Sequence, residues 1–251
     1  MTSVSNASVG AFLAGNSAAK ARHGMTEAIA RLSTGVRAMY GGDAGGASAA
    51  MQLRAEGRSA LMAARGAEDG ISFLHSGEAA LLEIAALNTR LRELAIQKLN
   101  DTMSTADKAA IAAEEAEVKA AGNNIDLAAF NGTALLTAAI SFVIDLDGTT
   151  DELGAVAAIA LDTGRANADT SMAAITLAMG KMAAGISALR GHQANLYALA
   201  ANSEAAASRI GDTDFARESA NLAKNSILNQ SAMAMVSQAN QAGASVLAVL
   251  Q

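Results

Sequence analysis

Met25-Thr-Glu-Ala-Ile-Ala-Arg-Leu-Ser-Thr-Gly-Val-Arg-Ala-Met39 carries Met25, Ile29, Leu32, Val36 and Met39 at alternating steps of four and three residues. An α-helix turns once every ~3.6 residues, so this spacing lines the five side chains along one edge, where helix packs on helix. Upstream, the seam recurs at every seventh residue through Ala18, Ala11 and Val4. Near the other end Leu228, Ala232, Met235, Ala239, Ala242, Val246 and Val249 repeat the same alternation. The pattern predicts a mainly α chain with long coiled-coil helices formed by its N- and C-terminal segments.

Between these ends the same reading predicts a central helical bundle. Phe73, Gly77, Ala80, Ile84, Leu87, Leu91 and Leu94 mark a helix over about residues 47–100. Met172, Ile175, Met179, Met182, Ile186, Leu189, Gln193, Leu196 and Ala200 mark another from about Asp169. Ile111, Val118 and Ile125 mark a shorter helix, with Ser104-Thr-Ala-Asp107 before it as an N-terminal cap. Breaks are expected at the glycine-rich stretch 40–46 and around Gly211, because glycine tolerates backbone angles that end a helix. At Ile140, Phe142, Ile144 and Leu146 the period changes to two, that of a strand. Asp147-Gly148 supplies a turn, and Ala155 to Leu161 is expected to return as the second strand of a small β-hairpin.

Composition narrows the class. About one residue in four is alanine, and the chain contains no Pro, Cys or Trp, although proline ordinarily runs near ~5%. Hydrophobic residues make up 51% but aromatic ones only 3%, which suits long helices in close contact better than a thick aromatic core. Without cysteine there is no disulfide framework and no thiolate metal site. A net charge of −6 argues against nucleic acid as a partner. No secretory signal is expected, since residues 1–19 hold no charge, and no membrane span, the longest clean apolar run being 155–161.

Catalytic motifs are missing as well. His23, His75 and His192 lie far apart, and no nucleophile elbow, phosphate loop or dinucleotide fingerprint is present. Glu114/Glu115 and Asp212/Asp214 read as solvated faces or helix starts, so neither enzyme activity, cofactor nor metal is expected. The positive signal lies at the ends, where residues 1–19 and 225–251 carry no charged side chain. A helix permanently facing water gains solubility from charge on its outer face, so these outer faces are expected to meet protein. Self-assembly is the resulting expectation, with Met25, Ile29, Leu32, Val36, Met39, Leu228, Ala232, Met235, Ala239, Val246 and Val249 as the polymerisation seam. The ends are expected to be loose until several subunits pack together.

Several short motifs also carry a family resemblance. Arg31-Leu-Ser-Thr-Gly-Val-Arg37, Asp69-Gly-Ile-Ser72, Arg90-Leu-Arg-Glu-Leu-Ala-Ile-Gln97 and Phe130-Asn-Gly132 occur in the order and spacing of the N-terminal part of bacterial flagellin. Ser208-Arg-Ile-Gly-Asp-Thr-Asp-Phe-Ala216, Ile227-Leu-Asn-Gln230 and Gln238-Ala-Asn-Gln241 resemble its C-terminal part. Ala44 stands where many members have a second Asp, Met39 where Asn is common, and His75 where Gln is common.

This resemblance implies a filament subunit at the bacterial cell exterior. Residues 1–42 and 212–251 would form the inner-tube assembly domain, 43–136 and 168–211 the central bundle, and 137–167 a short hairpin in place of variable outer domains. The implied partners are further copies of the chain, the flagellar export apparatus and its chaperone, and the hook-associated junction and cap proteins. Arg90, Leu94 and Glu114 match positions that in related flagellins contact the vertebrate toll-like receptor for flagellin. A hook–filament junction protein is the nearest alternative within the same group, and a soluble helical chaperone the alternative outside it.

Overall fold

The structure is a computed structural model that describes residues 2–37, 42–137, 139–143, 150–153 and 159–249. For residues 2–8, 140, 142–143, 150–153, 246–247 and 249 it describes the backbone only. In chain order the elements are α1 (Thr2–Thr34), α2 (Ala44–Lys98), α3 (Thr105–Asp126), β1 (Ala129–Phe130), β2 (Thr133–Ala134), β3 (Ile140–Val143), β4 (Thr150–Leu153), α4 (Arg165–Gly211) and α5 (Phe215–Val249). The expected fold class is therefore the observed one: long helices with a small antiparallel hairpin.

The helix ends follow local chemistry. α1 stops because Gly35 adopts φ +71°, where a Cβ is strained, while its N–H donates to the Arg31 carbonyl. Asp43 opens α2 by accepting from the Gly46 N–H at 2.8 Å, and Asp214 opens α5 by accepting from Ala216 and Arg217. At α3 the expected cap is a full reciprocal box: the Ser104 hydroxyl accepts from the Asp107 N–H, and the Asp107 carboxylate accepts from the Ser104 N–H.

The chain divides into two compact units, Met1–Ala55 with Ser203–Gln251, and Glu56–Asn202, so that α2 and α4 contribute residues to both. In the first unit α1 packs along α5. In the second, Leu74, Leu81, Ile84 and Leu91 of α2 form a core with Ile175, Met182, Ile186 and Leu189 of α4. Leu136, Ile159 and Leu161 close that core. The α4 seam matches its heptad reading at Ile175, Met182, Ile186, Leu189 and Leu196. On α2 the seam sits one position away from the expected Ala80 and Leu87, at Leu81 and Asn88, both fully buried.

Two expectations need correction. The second strand of the hairpin is not the expected return segment: β3 pairs with β4, in the register Ile140↔Leu153 to Val143↔Thr150. Ile159 and Leu161 instead lie buried outside any helix or strand, filling the core rather than a ladder, and alanine-rich sequence is a weak strand former. The Asp147-Gly148 turn, Ile144, Leu146 and residues 155–158 lie outside the described residues. A second hairpin, β1–β2, is closed by Asn131 (φ 49°) and Gly132 (φ 80°), the two positive φ angles of a type I′ turn.

The other correction concerns apolar length. α2 and α4 each contain an 18-residue window apolar enough to cross a membrane by length and composition, because alanine sums to that total without any run of large apolar residues. Membrane insertion has no second support here, since these same helices supply the core of the second unit.

Candidate assembly surface

Alanine governs how the terminal helices meet. Along α1 the buried side runs through Ala11, Ala14, Ala18, Ala21, Met25, Ala28 and Leu32, with Ala18 and Ala28 at 1% and 0% exposure. Along α5 it runs through Glu218, Leu222, Asn225, Asn229, Ala232, Val236, Ala239 and Gly243. Both follow the three-four alternation of a coiled coil, and small side chains let the two backbones approach closely. The pair is antiparallel: Arg31 meets Glu218 at 3.3 Å, and Gly24 lies against the Asn225 amide, toward which a Cβ at Gly24 would come within 2.6 Å of Nδ2.

Of the residues assigned to the polymerisation seam, Met25, Leu32, Ala232 and Ala239 line this intrachain contact. Ile29, Leu228 and Met235 stand on the outer faces, at 52%, 48% and 58% exposure. Val36 lies past the end of α1, in a β-bridge to Asp212. Met39 lies outside the described residues, as do the side chains of Val246 and Val249. Sequence reasoning missed Ala21, Ala28, Asn225 and Asn229 because it weighted large apolar residues. The alanines at the same alternation were the signal that locates them.

The outer faces of both helices therefore carry the bulk. Val9, Phe12, Leu13 and Ile29 on α1, and Ile227, Leu228, Met233 and Met235 on α5, are all about half exposed or more. A water-exposed helix ordinarily places such residues inward, so both outer faces present an unusual amount of large apolar surface.

At one end of the pair the two quoted motifs Arg31–Arg37 and Ser208–Ala216 are physically joined. The Arg37 N–H donates to the Gly211 carbonyl, and the Thr213 N–H to that of Gly35, each at 2.8 Å. The Arg37 guanidinium donates from Nη2 and Nε to the Ile210 carbonyl at 2.8 and 3.0 Å, placing a cation at the negative end of α4. It also reaches Asp43 at 3.0 Å. The Gly46 N–H first, and Arg37 after it, hold the Asp43 carboxyl below its ordinary range. Arg54 holds Asp212 at 2.6 Å and Glu204 at 3.8 Å, so Asp212 is part of a salt-bridge network.

In the second unit Arg90 and Glu114 form one ion pair between α2 and α3, with Nη2 2.6 Å from Oε1, and Glu93 adds a second contact at 3.2 Å. Glu114 raises the Arg90 guanidinium above its ordinary range. Leu94 is 1% exposed and belongs to the core. Glu115, beside Glu114 in sequence, is buried and takes a 2.8 Å bond from Lys98.

Known proteins share this arrangement of motifs. The bacterial flagellin N-terminal helical region matches residues 6–140, and the bacterial flagellin C-terminal helical region matches residues 166–250. The flagellin of Halalkalibacterium halodurans is 34% identical, over 90% of this chain and 91% of its own. The flagellar filament 33 kDa core protein of Treponema phagedenis is 32% identical, over 88% and 90%. The flagellin of Bacillus subtilis is 30% identical, over 88% and 91%. With both helical regions matched in order across most of its length, the chain belongs to the bacterial flagellin family.

Proposed function

We infer that this chain is the structural subunit of a bacterial flagellar filament, extracellular and built of many copies of itself. The observation that carries the reading is the inverted distribution of side chains on α1 and α5. Alanine fills most of the contact between them, while Phe12, Leu13, Ile227 and Met235 face outward at 58% exposure or more. Such a pair leaves its strongest hydrophobic groups for neighbouring subunits, and the uncharged ends allow burial on every side. Membership of a structural family supports a packing role in place of catalysis.

In the finer reading, residues 1–42 and 212–251 form the inner-tube assembly domain and 43–136 with 168–211 the outer bundle. The export apparatus with its chaperone, and the hook-associated junction and cap proteins, are the further partners. Ile29, Leu228 and Met235 of the seam act between subunits, and Met25, Leu32, Ala232 and Ala239 within one. Recognition by the toll-like receptor for flagellin rests on Arg90 and Glu114, because the Leu94 side chain is covered. Shearing cells and imaging the released material by electron microscopy tests the main reading: micrometre filaments of this chain are expected. A chain that stays inside the cell, or forms no filament alone as a junction protein would, refutes it. Removal of residues 225–251 is expected to abolish polymerisation while the second unit stays helical.

A further inference from the structure

The α1–α5 contact poses a problem of alignment. Its alanines recur at Ala11, Ala18 and near Ala28 on one helix and at Ala232 and Ala239 on the other, so a slip of one heptad sets alanine on alanine again. Along this alanine stretch apolar burial distinguishes the two alignments only weakly, and the Arg31–Glu218 pair with the Arg37–Gly211 and Thr213–Gly35 hydrogen bonds anchors one end of the pair alone. Something polar or steric must choose.

Asn225 and Asn229 are the amides in this seam, one turn apart on α5. Of the three glycines in α1, Gly10 and Gly15 have open space where a Cβ would stand, whereas at Gly24 that space is filled by the Asn225 side chain, with Nδ2 at 2.6 Å and Cγ at 3.0 Å. A one-heptad slip sets Asn225 beside Ser17 or Arg31, both of which carry a Cβ. The Asn229 Oδ1 is buried with no hydrogen-bond partner. An apolar residue there would avoid that cost, so Asn229 is not kept for the strength of the pair. Polar groups held in a coiled-coil seam in this way select one register at the expense of stability.

We propose that Asn225, seated in the notch left by Gly24, fixes the register of the antiparallel α1–α5 pair. As the ends order in the filament, each subunit then takes up its terminal helices in a single alignment. The statement about the filament rests on the function inferred above; the register does not.

Because the chain has no cysteine, pairs of introduced thiols report the alignment directly. Ala18→Cys with Ala232→Cys lie level in the observed register, and Ala11→Cys with Ala232→Cys lie level after a one-heptad slip. Mild oxidation of the full chain traps whichever register is sampled, since a disulfide forms only when the Cα atoms come within about 7 Å. The first pair is expected to close about tenfold faster than the second, and adding Asn225→Ala or Gly24→Ala should shrink that ratio to about threefold or less. Alanine is the best helix former, so neither change unwinds its helix. A ratio near one in the parent, or an unchanged ratio in both variants, overturns the proposal. Electron microscopy of the same samples keeps the two readings apart: a parent that never forms filaments refutes the function, while the cross-linking ratio still decides the register.

Discussion

Replacing Gly122 by alanine sets helix propensity against packing within α3. Alanine in a helix interior is favoured over glycine by about 1 kcal/mol. Against this, the added methyl falls far inside contact distance of Leu161 Cδ1 and 3.2 Å from its Cγ. Carbon atoms in comfortable contact stand about 3.5–4.0 Å apart, so the end of Leu161 must move by more than an ångström. Leu161 is 1% exposed in the core of the second unit, and Leu87 Cδ1 stands 3.8 Å from the same point, so its movement presses on buried neighbours. Overpacking of this kind costs about 1–3 kcal/mol, and expelling a leucine costs about as much. The expected net effect of Gly122→Ala is a loss of about 1–2 kcal/mol, packing outweighing propensity. With urea slopes of about 1–3 kcal/mol per molar, the denaturation midpoint followed by circular dichroism should fall by about 0.5–1 M. Truncating the neighbour reverses the sign: in a Leu161→Ala background the methyl has room, and Gly122→Ala should stabilise by up to ~1 kcal/mol. An unchanged or raised midpoint in the parent background, or the same loss in both backgrounds, would refute the packing argument.

Other predictions follow from the helix ends and the seam. Ala113→Pro, at an exposed site inside α3, removes a helical N–H and should destabilise by about 3 kcal/mol, slowing filament growth in a seeded polymerisation assay. Amide exchange in residues 1–35 and 220–251 should be fast in the monomer and slow in the filament, because an alanine seam buries little area against the cost of ordering the backbone; strong protection in the isolated monomer would contradict this. Acid should fray α3 from its start. The Ser104 hydroxyl and then its N–H hold the Asp107 carboxyl below 3.8, so this contribution is present at neutral pH and is lost as pH falls through the lowered value. Resonances of residues 104–108 followed from about pH 5 to 2 should report it, and Asp107→Asn should abolish the step.

Much of the architecture was legible because helices announce themselves locally. The heptads of α2 and α4, the Ser104 box and the break at Gly211 are encoded within a few residues of where they act. The return strand was harder. Ala155 to Leu161 has an apolar run of suitable length, but pairing is a nonlocal choice, and the core claimed Ile159 and Leu161 while Thr150–Leu153 took the ladder. The hairpin at Asn131-Gly132 was written plainly in turn chemistry, but its strands are only two residues long, too short to show a period.

At the candidate surface the sequence by itself determined that both terminal segments are long, heptad-patterned and free of charge over residues 1–19 and 225–251, and hence the expectation that protein covers them. Periodicity states which residues share a face; it does not state which partner covers that face. Only the tertiary structure decided that alanines and two asparagines turn inward between α1 and α5 while Phe12, Ile29, Ile227 and Met235 turn outward. The physical reason is the depth of the contact. Two backbones brought close enough for Gly24 to meet the Asn225 side chain favour small groups along most of the seam, with Met25 and Leu32 the large exceptions on α1, so most of the bulk goes to the outer faces.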